Sequence, residues 1–181
     1  MKLLRLTFNL FELSRLAILA FVLLAATAAI FGLPLVVEGA SMEPNFQTGS
    51  LVLVERISYI NDRPIKRGDV VEAKFPANPK KTRLIKRVIG LPGETVESDS
   101  GRITINGQHL VETDYRPRLG PPPYSEIKTE RLGPGEYFLA GDNRPNSSDS
   151  RLWGSVKRTD ILGRVSFILW PLSQASYISR Y

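Results

Sequence analysis

Residues 16–37, LAILAFVLLAATAAIFGLPLVV, contain no charged side chain. Twenty-two residues at about 1.5 Å each make a helix of about 33 Å, close to the hydrocarbon thickness of a bilayer. Arg15 and Glu38 bracket the run. Such a segment has few ways to satisfy its side chains other than crossing a membrane, and it is longer than the usual core of a cleaved secretory leader. The small residues Ala25, Ala26, Ala28 and Ala29 resemble a cleavage site, but the length argues for a retained anchor. Lys2, Arg5 and Arg15 place the N-terminus on the cytoplasmic side and residues 38–181 on the other. The expected division is a cytoplasmic segment at 1–15, a transmembrane helix at 16–37 with Pro34 ending or bending it, and an extracytoplasmic domain at 38–181. Residues 1–14 alternate apolar and charged positions, a pattern suited to lying along the inner surface.

About 145 residues beyond the run suffice for one domain with its own core. Thirteen prolines and fourteen glycines in the chain point to many turns and a mainly β fold. Strands are expected at 50–58, 68–75, 82–90, 101–107, 135–143 and 161–171, the last stopped by Pro171. Asn106-Gly107 between GRITI and QHLV marks a hairpin. RPRLGPPPY, 116–124, is expected as an exposed loop. Trp153 and Trp170 suit either a membrane interface or core packing.

Composition narrows the chemistry. With no cysteine and only His109, disulfides, thiolate sites and a cysteine nucleophile are excluded, and no metal or other cofactor is expected. The net charge is +6, of which residues 1–37 carry +2. The remaining +4 is spread out. It suits anionic lipid better than nucleic acid, for which the sequence has no recognition motif.

Three segments hold candidate chemistry. Ser41 lies in VVEGASMEPNF, where small neighbours leave room for a substrate backbone and Pro44 stiffens the exit. Lys86 lies in LIKRVIGLPGE. In an extended strand it shares a face with Leu84 and Val88, while Arg87 shares the other with Ile85 and Ile89. An amine in apolar surroundings loses hydration of its charged form, and a base working near neutrality needs a drop of about 2–3 pH units, roughly 3–4 kcal/mol. Read from this strand alone, Lys86 is better described as a snorkelling surface lysine. The third segment, GDNRPNSSDSRLWG at 141–154, offers Asp142, Asp149, Arg144 and Arg151 for ion pairs and Ser147, Ser148 and Ser150 as hydroxyl partners for a buried amine.

Taken in order, apolar span, GASMEPNF, RGDVVEAKFP, LIKRVIGLPGE and GDNRPNSSDSRLWG resemble the type I signal peptidases, membrane-bound Ser-Lys endopeptidases, over residues from about 14 to 171. The resemblance implies antiparallel β-sheet regions behind one N-terminal helix. It implies Ser41 as nucleophile, with its backbone N–H in the oxyanion hole, and Lys86 as general base. Ser147 would orient the lysine. Asp142 with Arg87, and Asp149 with Arg151, would form supporting pairs. Leu35, Val37, Met42, Leu84 and Ile85 would line pockets for small side chains, as in Ala-x-Ala. Some members add a serine hydroxyl to the oxyanion hole where this chain has Gly39. Such a donor is worth about 2.7–4 kcal/mol where it is used.

The implied partners are signal peptides of exported preproteins and membrane lipid, with the protein translocation machinery as a further candidate. The implied location is a bacterial plasma membrane or a thylakoid membrane. A self-cleaving Ser-Lys repressor shares the chemistry, but it would carry a DNA-binding module where this chain has its apolar run. A membrane-anchored binding module without activity is the non-enzyme alternative, and it would be expected to have lost Ser41 or Lys86.

Overall fold

The computed structural model describes residues 2–32, 34–76, 83–113, 115, 117–121 and 129–178. The chain starts with one helix, α1, Lys2–Phe31. Its stretch Leu10–Ala28 is apolar and long enough to cross a bilayer, and none of it is buried against the rest of the protein. The helix runs on through the N-terminal segment instead of pausing before Leu16.

It also stops earlier than residue 37. Gly32 N–H bonds to Ala28 O, and Pro34–Val36 form strand β1. Proline cannot continue a helix, and it suits an edge strand because it has no N–H to offer. Hydropathy continues unbroken across this boundary, so the apolar run conceals a change from helix to strand.

The remaining strands are β2 Leu51–Glu55, β3 Val70–Lys74, β4 Arg83–Gly90, β5 Thr95–Asp99, β6 Arg102–Ile105, β7 Gln108–His109, β8 Thr129–Arg131, β9 Glu136–Ala140, β10 Val156–Lys157, β11 Ile161–Trp170 and β12 Ser176–Tyr177. A short helix, α2, spans Ser150–Trp153. The larger sheet has the order β1-β2-β11-β3-β4-β9-β10, with β12 beside β11. The smaller has the order β7-β6-β5-β8. Every strand pair in both sheets is antiparallel. Asn106-Gly107 makes the two-residue turn joining β6 to β7, both residues at positive φ.

Alternation along the strands builds three apolar clusters. One holds Val37, Met42, Phe46, Val52 and Ile85 beneath the turn after β1. A second holds Val71, Val88, Leu139 and Ile161. The third, with Ile89, Val96, Ile103 and Phe138, ties the two sheets together. Each such side chain contributes roughly 1.5–3 kcal/mol by leaving water.

Two peripheral expectations meet a mixed outcome. Trp153 packs edge-on against Phe75 at 5.5 Å, whereas Trp170 is 57% exposed. In the 116–124 segment, Arg116 and residues 122–124 lie outside the described residues. Arg118 is not merely looped out: its N–H bonds to Asp142 O and its carbonyl accepts from Arg144 N–H, pinning the segment to the 141–147 loop.

Candidate active site

The site forms where β1 turns back towards β4. Ser41 sits in a single 3-10 turn, Ala40–Met42, seated on the first apolar cluster by the buried side chain of Met42. β4 brings Lys86 alongside, and its Nζ donates to Ser41 Oγ at 2.7 Å. Lys86 is 3% exposed, so the strand-only reading of a snorkelling lysine does not hold. The snorkelling route is closed because the Ser41 turn and the 141–151 loop stand over the amine. Burial lowers the Lys86 pKa from about 10.5 to about 8, because the charged form loses its hydration. Asp149 and then Asp142 oppose this by Coulombic attraction, and Arg151 assists it.

A cleft of about 370 Å³ opens beside the two groups. Leu35, Val37, Met42, Leu84 and Ile85 all line it. Its flanks are strand edges. β3 pairs with β4 over residues 83–87, whereas β9 pairs only from Arg87 onward, so no described strand covers the second edge of 83–86. β1 pairs on one side, with β2.

Behind Ser41 and Lys86, most of the 141–151 segment is buried, unlike a solvated loop, with only Asn146 and Ser148 exposed. Arg87 makes two bonds to Asp142, at 2.8 and 2.7 Å, and donates to Gly68 O. Arg151 makes two bonds to Asp149, both at 2.8 Å. Asp149 also accepts from the Gly141 N–H at 2.9 Å. Arg144 does not join these pairs; it bonds to Glu112 and to Gly141 O. Ser150 Oγ accepts from Leu139 N–H, and Ser148 is exposed.

Ser147 is buried and lies against Gly141. A Cβ at position 141 would stand 2.2 Å from Ser147 Oγ and 2.4 Å from Ser41 O, so only glycine lets the hydroxyl and the Ser41 turn come this close. Gly39 differs: a Cβ there would meet open space, but its φ of +78° strains any L side chain.

Four residues were not singled out from sequence. Asn143 clasps the Ser41 turn twice, through its N–H to Ser41 O and its side-chain amide to Ala40 O, each at 3.0 Å. Asn45 donates to Asp142 at 2.9 Å. Tyr115 lies under Arg87, whose guanidinium carbon is 3.8 Å from the ring centre. Glu112 accepts from the Tyr115 hydroxyl and pairs with Arg144. Asn45 and Asn143 reach partners 97 and 103 positions away and Glu112 reaches Arg144 over 32, so no local signal marks those contacts; only the Glu112–Tyr115 pair is local.

Residues 10–170 match the family model described as signal peptidase, peptidase S26. A signal peptidase I of Leptolyngbya laminosa is 40% identical over 144 residues, covering 76% of this chain and 68% of that one. A signal peptidase I of Bacillus caldolyticus is 40% identical over 152 residues, covering 78% and 81%. A crystal structure of a signal peptidase I from Enterococcus faecalis is 33% identical, covers 56% of this chain and 97% of that one, and aligns with a TM-score of 0.45. With a match across most of its length, the chain belongs to the signal peptidase family of serine endopeptidases, peptidase S26.

Proposed function

We propose that this enzyme removes N-terminal signal peptides from exported preproteins with Ser41 as nucleophile and Lys86 as general base. The observation that carries this reading is the 2.7 Å contact from Lys86 Nζ to Ser41 Oγ, made by an amine whose pKa has fallen to about 8. An amine that is partly neutral near pH 8 takes the serine proton as Oγ attacks the scissile carbonyl carbon. The Ser41 N–H stabilises the oxyanion. The C–N bond then breaks, the leaving amine takes the proton from Lys86, and the acyl chain remains on Oγ. Water attacks that ester, Lys86 takes its proton, and the proton returns to Ser41. Ser147, held against Gly141, orients the lysine. The Asp142–Arg87 and Asp149–Arg151 pairs stiffen the loop that carries it.

The open edges of β1 and β4 suit an extended peptide bound by main-chain pairing. The apolar wall of Leu35, Val37, Met42, Leu84 and Ile85 suits small side chains one and three residues before the cut. α1 anchors the domain in the membrane with its N-terminus cytoplasmic, and the exposed Leu169, Trp170 and Leu172 rest at the lipid surface.

The test is cleavage of a preprotein with an Ala-x-Ala site in detergent. Ser41→Ala and Lys86→Ala should each lose at least about a thousandfold in kcat/KM while keeping the wild-type circular dichroism. Lys86→Arg should fail equally, because guanidinium does not give up its proton in a protein. Wild-type kcat/KM should rise about tenfold per pH unit on approaching pH 8 and level off above it. Robust cleavage by either alanine variant, or a profile flat from pH 6 to 9, would remove the mechanism.

A further inference from the structure

A second cavity, of about 420 Å³, adjoins the cleft and shares Leu35 and Arg83 with it. It lies at the foot of α1, where Ala28 and Gly32 form part of its wall. Both cavities carry charge: Glu38 and Lys86 line the first beside the shared Arg83, and Arg56, Glu72 and Arg83 line this one. Glu72 is 3% exposed and accepts from Arg83 at 3.0 Å. Arg56 is exposed and has no ion pair among the described residues. Two guanidiniums against one carboxylate leave the cavity one positive charge in excess.

The topology fixes which part of a substrate passes there. Successive antiparallel pairing through β1, β2, β11, β3 and β4 makes β1 and β4 run the same way, both towards the Ser41–Lys86 end. The apolar segment of a signal peptide precedes the cut and stays at the membrane, from which α1 enters the domain at Gly32. The peptide upstream of the cut therefore runs back past Arg83 and Pro34. These lie three residues before Lys86 and Val37, about 10 Å along an extended chain. The side chains level with the second cavity are thus about three positions behind the one beside Ser41.

We infer that this cavity is a subsite for the fourth and fifth residues before the cut, and that it favours Asp or Glu over Lys or Arg there. The inference rests on the Ser41–Lys86 reading above. One charge at an exposed, partly screened rim should give about fivefold discrimination in kcat/KM.

The experiment uses the full chain in nonionic detergent at low salt, with internally quenched Ala-x-Ala peptides carrying Glu, Gln or Lys at the fourth or fifth position before the cut. The readout is the Glu-to-Lys ratio of kcat/KM within each enzyme, which cancels any loss of folded fraction. The ratio should be about five in the wild type and higher in Glu72→Gln. It should approach one in Arg56→Gln, fall below one in Arg56→Glu, and shrink towards one at high salt. Equal cleavage of the Glu and Lys peptides by the wild type, or an unchanged ratio in Arg56→Glu, would overturn the subsite alone. No cleavage of any peptide, the Gln peptide included, would overturn the catalytic reading and the subsite with it.

Discussion

The two faces of β4 each bury one cation, and they treat it in opposite ways. Lys86 and Arg87 are neighbours and equally buried at 3% exposure. Arg87 receives a bidentate carboxylate, a carbonyl and an aromatic ring. Lys86 receives a serine hydroxyl, and the nearest opposing charges act on it only through space. Burial lowers the proton affinity of Lys86, and no carboxylate touches the amine to reverse that, whereas the Arg87 charge is matched by Asp142 in direct contact. Asp142 and Asp149 would re-protonate the lysine if their charge were free. Each is instead held by its own arginine; both carboxylates still raise the proton affinity of the amine from a distance, but less than burial lowers it.

The strongest way to break this contrast is Asp149→Asn. It leaves the Arg151 charge buried without its carboxylate and should cost about 3–5 kcal/mol in urea denaturation. A cost near zero would mean that the pair does not support the loop. Gly141→Ala attacks the other side: its methyl has no space between Ser147 Oγ and Ser41 O. Activity should fall about a hundredfold, roughly 2.7 kcal/mol, measured as kcat on one peptide.

Lys86→Met sharpens the contrast through stability. Below pH 8 the folded wild type holds a charged, desolvated amine, so the variant should be the more stable by about 2–3 kcal/mol. Between pH 8 and about 10.4 the folded lysine is neutral while the unfolded one still binds a proton, so wild-type stability rises and the gap closes. Thermal melts at pH 7 and pH 10 measure this, and a gap independent of pH would contradict it. The smallest effect is expected for Asn143→Ala, which frees one of two clasps on the Ser41 turn. About a tenfold loss of kcat, with KM little changed, would mark a positioning role.

Legibility in the sequence followed locality. β4 and β11 are dense in branched apolar residues, β9 carries Tyr137, Phe138 and Leu139 in a row, and β11 stops just before Pro171 as expected. The hairpin at Asn106-Gly107 is a two-residue signal and needs no long-range information. By contrast, β5 reads TVESD, with one aliphatic residue, Val96, and its strand character comes from its partners on both sides. The end of α1 was hidden because a membrane helix and an apolar edge strand share a composition. At the site, the Arg87–Asp142 and Asp149–Arg151 pairs were expected from the resemblance. Arg144 was expected among the loop's own carboxylates, and its partner Glu112 lies outside that loop. The burial of Lys86 could not be read from its strand, because the decisive neighbours, Ser41 and the 141–151 loop, arrive from distant parts of the chain.

The uncovered edge of β4 carries one more consequence. An open strand edge is ordinarily a hazard, ready to pair with any neighbouring sheet. Here that edge shares a cleft with β1, and Leu35, Val36, Leu84 and Ile85 of the two strands line it. A strand already paired on both sides has no free main-chain groups to offer such an edge. On the proposed reading, an edge that takes up an extended peptide would favour clients whose chain is not yet folded over those whose strands are already paired.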